Sequence, residues 1–93
     1  FPEVRRDLAL LVDSQTTFSQ LREIAFATEK KLLKNVTLFD VYEGDKLPAG
    51  KKSYALNFVL EDTTKTLVDQ VIDKTMANLV REFERRAGAQ VRS

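Results

Sequence analysis

The sequence predicts an α+β fold in the order strand, helix, strand, strand, helix, strand. Three observations carry that order. Alternating residues mark strands at 6–13, 36–42 and 52–60. Apolar residues three and four apart mark a helix after the first strand and another after the third. Thr17 and Gln20 form a pair that opens a helix, each side chain satisfying a backbone donor of the first turn.

The elements follow in turn. From Arg6 to Asp13, Leu8, Leu10 and Val12 alternate with Asp7, Ala9 and Leu11; both sets are largely apolar, which suits a central strand. After a polar loop, Phe18, Leu21, Ile24, Ala25, Thr28 and Leu32 share one face of a helix expected to run to about Leu33, with Lys30, Lys31 and Lys34 at its negative end. Val36 to Tyr42 is the second strand. Strict alternation sets Thr37, Phe39 and Val41 on one side and Val36, Leu38, Asp40 and Tyr42 on the other, which is the uncovered face if Phe39 and Val41 are expected in the core. Gly44 and Gly50 punctuate the connection to the third strand, Lys52 to Leu60, whose Tyr54, Leu56, Phe58 and Leu60 form the clean apolar face. Thr66 is expected to cap the second helix, with Asp69 in its first turn, Arg85 and Arg86 near its end and Gly88 as its stop. Ala89 to Arg92 is long enough for a short last strand. Two such split units make a ferredoxin-like βαββαβ sandwich: one four-stranded antiparallel sheet, both helices on one face and the other face open.

Size and composition restrict what such a fold can do. The 93 residues fit one domain, expected to span 1–93, with one core and no staples. No cysteine is present, so neither a disulfide framework nor a thiolate metal site is possible, and a reducing, cytoplasmic setting is expected. No histidine is present, which removes the commonest general base and the commonest metal ligand. No apolar run approaches the ~20 residues that span a bilayer, so no membrane partner is expected. The net charge of +1 does not by itself point to nucleic acid. The chain opens on Phe1-Pro2 without a methionine, and it is expected to be part of a longer chain.

Catalysis finds little support. With Cys and His absent, a nucleophile would have to be Ser or Thr activated by Lys or a carboxylate, and no spacing singles one out. Asp13, Asp40, Glu43, Asp45, Glu61 and Asp62 fall at strand ends and turns, where carboxylates serve solubility and turn chemistry. Gly50-Lys51-Lys52-Ser53 ends like a phosphate-binding loop, but the upstream glycine is misplaced and a strand follows it instead of a helix. No catalytic, metal or cofactor residue is assigned.

A binding surface remains. Asp40 and Tyr42 share a parity that places them on the open face, and Ser53 opens the neighbouring strand with the same parity. They read either as a solvated acid and an edge ring, or as a surface for unpaired nucleotides, where rings stack on bases and carboxylate and hydroxyl bond base edges. Arg6, Lys51 and Lys52, all at strand starts, are the candidate phosphate contacts.

Arg5-Arg6-Asp7-Leu8-Ala9-Leu10, Leu38-Phe39-Asp40-Val41-Tyr42, Leu47-Pro48-Ala49-Gly50-Lys51-Lys52-Ser53 and Thr66-Leu67 together resemble the ferredoxin-fold anticodon-binding domain at the C-terminus of the bacterial phenylalanyl-tRNA synthetase beta subunit. The resemblance covers almost the whole chain. It implies a parent alpha2beta2 ligase that uses ATP and Mg2+ to charge tRNA with phenylalanine at a catalytic site in the alpha subunit. It implies that this domain, itself without catalysis or cofactor, holds the anticodon loop of the phenylalanine-specific tRNA. Asp40, Tyr42 and Ser53 match the positions that engage anticodon bases, the tyrosine stacking on the first base, a guanine, and the aspartate reading its edge.

Other classes share the element order. An RNA-recognition motif would carry exposed aromatics on its third strand, whereas the parity here sends Tyr54 and Phe58 to the core. A regulatory ligand-binding module would usually want a glycine-bearing turn after the first strand, and an acylphosphatase-like enzyme an arginine-bearing anion loop there. Asp13-Ser14-Gln15-Thr16-Thr17 has neither glycine nor arginine.

Overall fold

The computed structural model describes residues 1–92; position 93, the last of the expected domain, lies outside the described residues. The elements are β1 (Val4–Asp13), α1 (Phe18–Thr28), β2 (Leu33–Tyr42), β3 (Lys51–Leu60), α2 (Asp69–Ala87) and β4 (Gln90–Val91). The strands form one sheet in the order β2-β3-β1-β4, with every pair antiparallel. This is the expected ferredoxin-like βαββαβ arrangement.

Pleat parity decides which side of each strand is covered. Leu10 and Val12 of β1, Val36 of β2, and Tyr54, Leu56, Phe58 and Leu60 of β3 are buried with Leu21 and Ala25 of α1 and Ile72, Leu79 and Phe83 of α2. Phe58 and Phe83 meet with ring centroids 6.0 Å apart and planes tilted by 44°. Each large apolar side chain so enclosed stabilises the fold by roughly 1.5–3 kcal/mol. The burial of Tyr54, 5% exposed, with its hydroxyl donating to the Thr16 carbonyl at 2.8 Å, removes the third-strand aromatic that an RNA-recognition motif would display.

Local chemistry sets the ends. The Thr17 hydroxyl accepts from the Gln20 amide at 3.1 Å while the Gln20 side chain accepts from the Thr17 amide at 2.8 Å, so α1 opens as expected. It closes earlier than expected, at Thr28. The Glu29 carboxylate accepts from the amides of Lys31 and Leu32, and Leu33 is already paired with Leu60 in the sheet. Lys30 and Lys31 therefore follow the helix and Lys34 lies in β2, away from the dipole. The second helix starts at Asp69, with Val68 and not Thr66 at its cap; the Val68 carbonyl accepts from Val71 and Ile72. Gly88 ends it in the left-handed conformation (φ 61°), as expected of a residue without Cβ. β4 is only two residues long, continued by the Arg92 amide donating to the Ala9 carbonyl at 2.6 Å.

The second strand departs most from strict alternation. Leu38 pairs with Leu56 and Asp40 with Ala55, so Phe39 is an extra residue in a bulge. Before the bulge, Val36 and Leu38 face the helices, not Thr37; after it, the phase inverts. Phe39, expected in the core, is 60% exposed.

Candidate nucleic-acid interface

The open side of the sheet carries Arg5, Asp7, Ala9, Leu11 and Asp13 from β1, and Ser53, Ala55, Asn57 and Val59 from β3. Beyond the bulge, β2 adds Asp40 opposite Ala55 and Tyr42 opposite Ser53. Small residues at Ala9 and Ala55 leave the middle of this face low, so the flanking side chains stand above it.

Asp40, Tyr42 and Ser53 are thus brought together, although the parity that predicted it was only half right. Counting from Val36 places Asp40 among the core residues; the inserted Phe39 turns it outward. Asp40 is exposed and has no hydrogen bond among the described residues, so both carboxylate oxygens are free to accept. Tyr42 is 36% exposed. Its ring end rests against Gly44: a Cβ there would lie 2.9 Å from Oη and 3.1 Å from Cζ. Gly44 does not have a positive φ, unlike Gly50 (φ 78°), so it serves here by its small size and not by turn geometry. Ser53 is 4% exposed, which corrects the expectation of a hydroxyl presented openly to a ligand.

The three candidate phosphate contacts are not gathered there. Lys51 has open-face parity, but its ammonium pairs with Asp13 at 2.7 Å. Lys52 pairs with Val12 and so takes the helix-side parity, with its ammonium 4.8 Å from the Tyr54 ring centroid. Arg6 also has helix-side parity, opposite Phe58, and donates to the Arg5 carbonyl at 2.8 Å. Adjacent strand residues point to opposite sides, so Lys51-Lys52 and Arg5-Arg6 each supply the open face with one cation.

A residue missed in the sequence takes that place. The guanidinium carbon of Arg92 lies 5.5 Å from the Tyr42 ring centroid. Its backbone bond to Ala9 gives it open-face parity. The signal was available in principle: Arg92 follows the two residues of β4 and is the only cation after Gly88. Without the register of β4 on β1, nothing placed it over the ring.

Fold and site define an open-faced ferredoxin-like sandwich with an acid, a ring and a guanidinium on its uncovered sheet. The profile of the ferredoxin-fold anticodon binding domain matches residues 1–92, and the chain belongs to that family. It is similar to the phenylalanine–tRNA ligase beta subunits of Bacteroides fragilis (56% identical over 92 residues, 99% of this chain and 11% of that protein) and Porphyromonas gingivalis (53% over 92 residues, 99% and 11%). It is also similar to that of Carboxydothermus hydrogenoformans (39% over 93 residues, 100% and 12%). The chain spans about one-ninth of the length of these relatives.

Proposed function

We propose that residues 1–93 are one domain of a longer phenylalanine–tRNA ligase beta subunit and that their open sheet face holds the anticodon loop of the phenylalanine-specific tRNA. The observation that carries the reading is the exposure of Asp40 and Tyr42 near one another beyond the bulge, on the sheet face away from the helices. Tyr42 offers a flat face to the first anticodon base, a guanine. The unpartnered oxygens of Asp40 match the adjacent N1–H and N2–H donors of that base. A base lacking those donors would leave the carboxylate unpaired as the ring closes over it, which is a source of selectivity. Ser53 lies beneath and contacts the base only once the groups above it part. Arg92, beside the ring, supplies positive charge for the loop; Lys51, Lys52 and Arg6 contribute to the field around it more weakly.

Stacking on one aromatic ring is worth roughly 1–3 kcal/mol. The domain alone binds weakly, and the rest of the ligase supplies most of the affinity. In this reading the parent is an alpha2beta2 cytoplasmic enzyme that activates phenylalanine with ATP and Mg2+ in its alpha subunit. The reaction's nucleotide and metal are, in this reading, held elsewhere in the ligase.

The test is Tyr42→Ala in the whole ligase. Charging at limiting tRNA falls between about 5- and 150-fold through tRNA affinity, while phenylalanine-dependent pyrophosphate exchange is unchanged. A parallel fall in the exchange reaction would remove the anticodon assignment.

A further inference from the structure

The bulge that turns Asp40 outward also leaves Phe39, a ring that alternation would have buried, 60% exposed to water, which is unfavourable for an apolar side chain. The exposed ring is not isolated. Phe39 lines a groove of about 350 Å³ on the open face with Thr37, Asn57, Asp7 and Arg5. Thr37, Asn57 and Asp7 lie in one row across β2, β3 and β1.

The row is chemically ordered. Asn57 Nδ2–H donates to Asp7 Oδ1 at 2.7 Å. A carboxylate only accepts, so this bond fixes the amide: its NH2 faces β1 and its Oδ1 faces β2, toward Thr37 and the groove. The second Asp7 oxygen and the Asn57 carbonyl remain as acceptors, and the Thr37 hydroxyl can turn to either role. Arg5 is bonded to Glu3 through Nη2 at 2.9 Å and Nε at 3.2 Å, so its guanidinium already has an acidic partner. A flat apolar ring beside fixed acceptors, without a free cation, suits a nucleobase that donates from its edge and does not suit a phosphate.

We propose that Phe39 with Thr37, Asn57 and Asp7 forms a second nucleobase subsite, which takes an unpaired base flanking the one on Tyr42 and favours a base with an exocyclic amino group. This rests on the reading of the open face as an RNA surface. The two rings are three residues apart on β2, about 10 Å, a separation that one strand of unstacked nucleotides spans. The extra residue of the bulge thus serves both positions: it directs Asp40 and Tyr42 to one base and presents Phe39 to another.

The experiment is an NMR titration of this chain with the anticodon stem-loop of a phenylalanine tRNA and with two versions abasic on either side of the first anticodon base. The Phe39 ring and the Asn57 side-chain amide shift with the intact loop, and one abasic version abolishes those shifts while those of Tyr42 persist. Phe39→Leu, which keeps apolar bulk and loses the flat ring, raises Kd about fivefold or more, equally at low and high salt. Where the base so identified is an adenine, replacing it by purine, which lacks the amino group, weakens binding as well; a base there with no exocyclic amino group overturns the edge preference. Tyr42 shifting while Phe39 and Asn57 stay still, or wild-type affinity in Phe39→Leu, overturns the subsite and leaves the anticodon reading standing. Unchanged affinity with purine overturns the edge preference. No shift at Tyr42 either overturns both readings.

Discussion

The Arg92 guanidinium reaches the Tyr42 ring from the opposite edge of the sheet, 5.5 Å from its centroid, with β3 and β1 lying between them. Three strand spacings are about 14 Å, so neither side chain could make this contact unless both leaned inward. Tyr42 lies opposite Ser53 in the sheet, and Ser53, 4% exposed, is with Val59, 8% exposed, one of the two buried residues of that face. An exposed contact of this kind is worth about 0.5–1 kcal/mol, enough to bias the ring and too little to lock it.

Arg92→Ala therefore uncovers the ring without unfolding the domain. Tyr42 and Tyr54 are the only tyrosines, there is no tryptophan, and Tyr54 is buried. Quenching of the intrinsic fluorescence by acrylamide, which is uncharged, reports Tyr42, and it rises in the variant, while stability changes by no more than about 1 kcal/mol. Unchanged quenching would mean that the guanidinium does not shield the ring in solution.

Gly44→Ala tests the other support of the same ring. The added Cβ would lie 2.9 Å from Tyr42 Oη, closer than real contacts allow, and a tight 3.1 Å from Cζ, and the movable partner is the end of a side chain. Gly44 needs no positive φ, so the backbone accepts alanine. The ring resonances of Tyr42 shift and loop affinity falls a few-fold, with stability nearly unchanged. Tyr42 resonances identical to those of the wild type would show that the ring does not rest on this glycine.

These two contacts mark where the sequence was legible and where it was not. The element order, the capping box at Thr17, the stop at Gly88 and the core face of Tyr54, Leu56, Phe58 and Leu60 follow from period and local chemistry, and the structure has each of them. The bulge does not follow from either. A single extra residue leaves an apolar pattern that reads equally well as strict alternation, so Phe39 looks like a core residue beside Val41 until the register of β2 on β3 is known; Val41, opposite Tyr54, does take the helix side. Asp40 and Tyr42 came out on the open face only because the true inversion and the mistaken core assignment compensate. Early helix closure at Thr28 was hidden for a related reason: the Glu29 side chain competes for the amides of Lys31 and Leu32, and a helical spacing of apolar residues continues past it to Leu32. Arg92 depends on a pairing between residues some eighty positions apart, which no local pattern records.

Asp40→Asn separates recognition from stacking. The substitution keeps size and strand position and replaces one acceptor oxygen by a donor, which faces the guanine N–H groups unfavourably. In the whole ligase, preference for guanine over adenine at the first anticodon position falls by about tenfold, the order expected from one charged hydrogen-bonded contact of 1.5 kcal/mol or more. The check is kcat/KM for charging of two transcripts that differ at that base. Equal selectivity in variant and wild type would remove Asp40 from base reading and leave Tyr42 untouched.

The last turn of α2, which leads through Gly88 to β4 and Arg92, makes the fold sensitive to acid through Glu82. Its carboxylate accepts from Arg85 Nη2 at 2.8 Å and from Arg86 Nε at 3.0 Å. The hydrogen bond from Arg85 is the largest influence; partial burial opposes it and Arg86 adds to it, and the carboxyl is held at about 2 instead of 4.5. A carboxyl lowered in the folded state binds fewer protons there than in the unfolded chain. Its stabilising contribution is therefore complete above about pH 4.5 and is lost as the pH falls toward 2. Glu82→Gln has no such proton to take up. Urea unfolding of the two proteins at intervals across that window should converge: the wild type is more stable at neutral pH, and the difference shrinks steadily on acidification. A difference that stays constant from neutral pH down to pH 2 would show that these pairs are too well solvated to contribute.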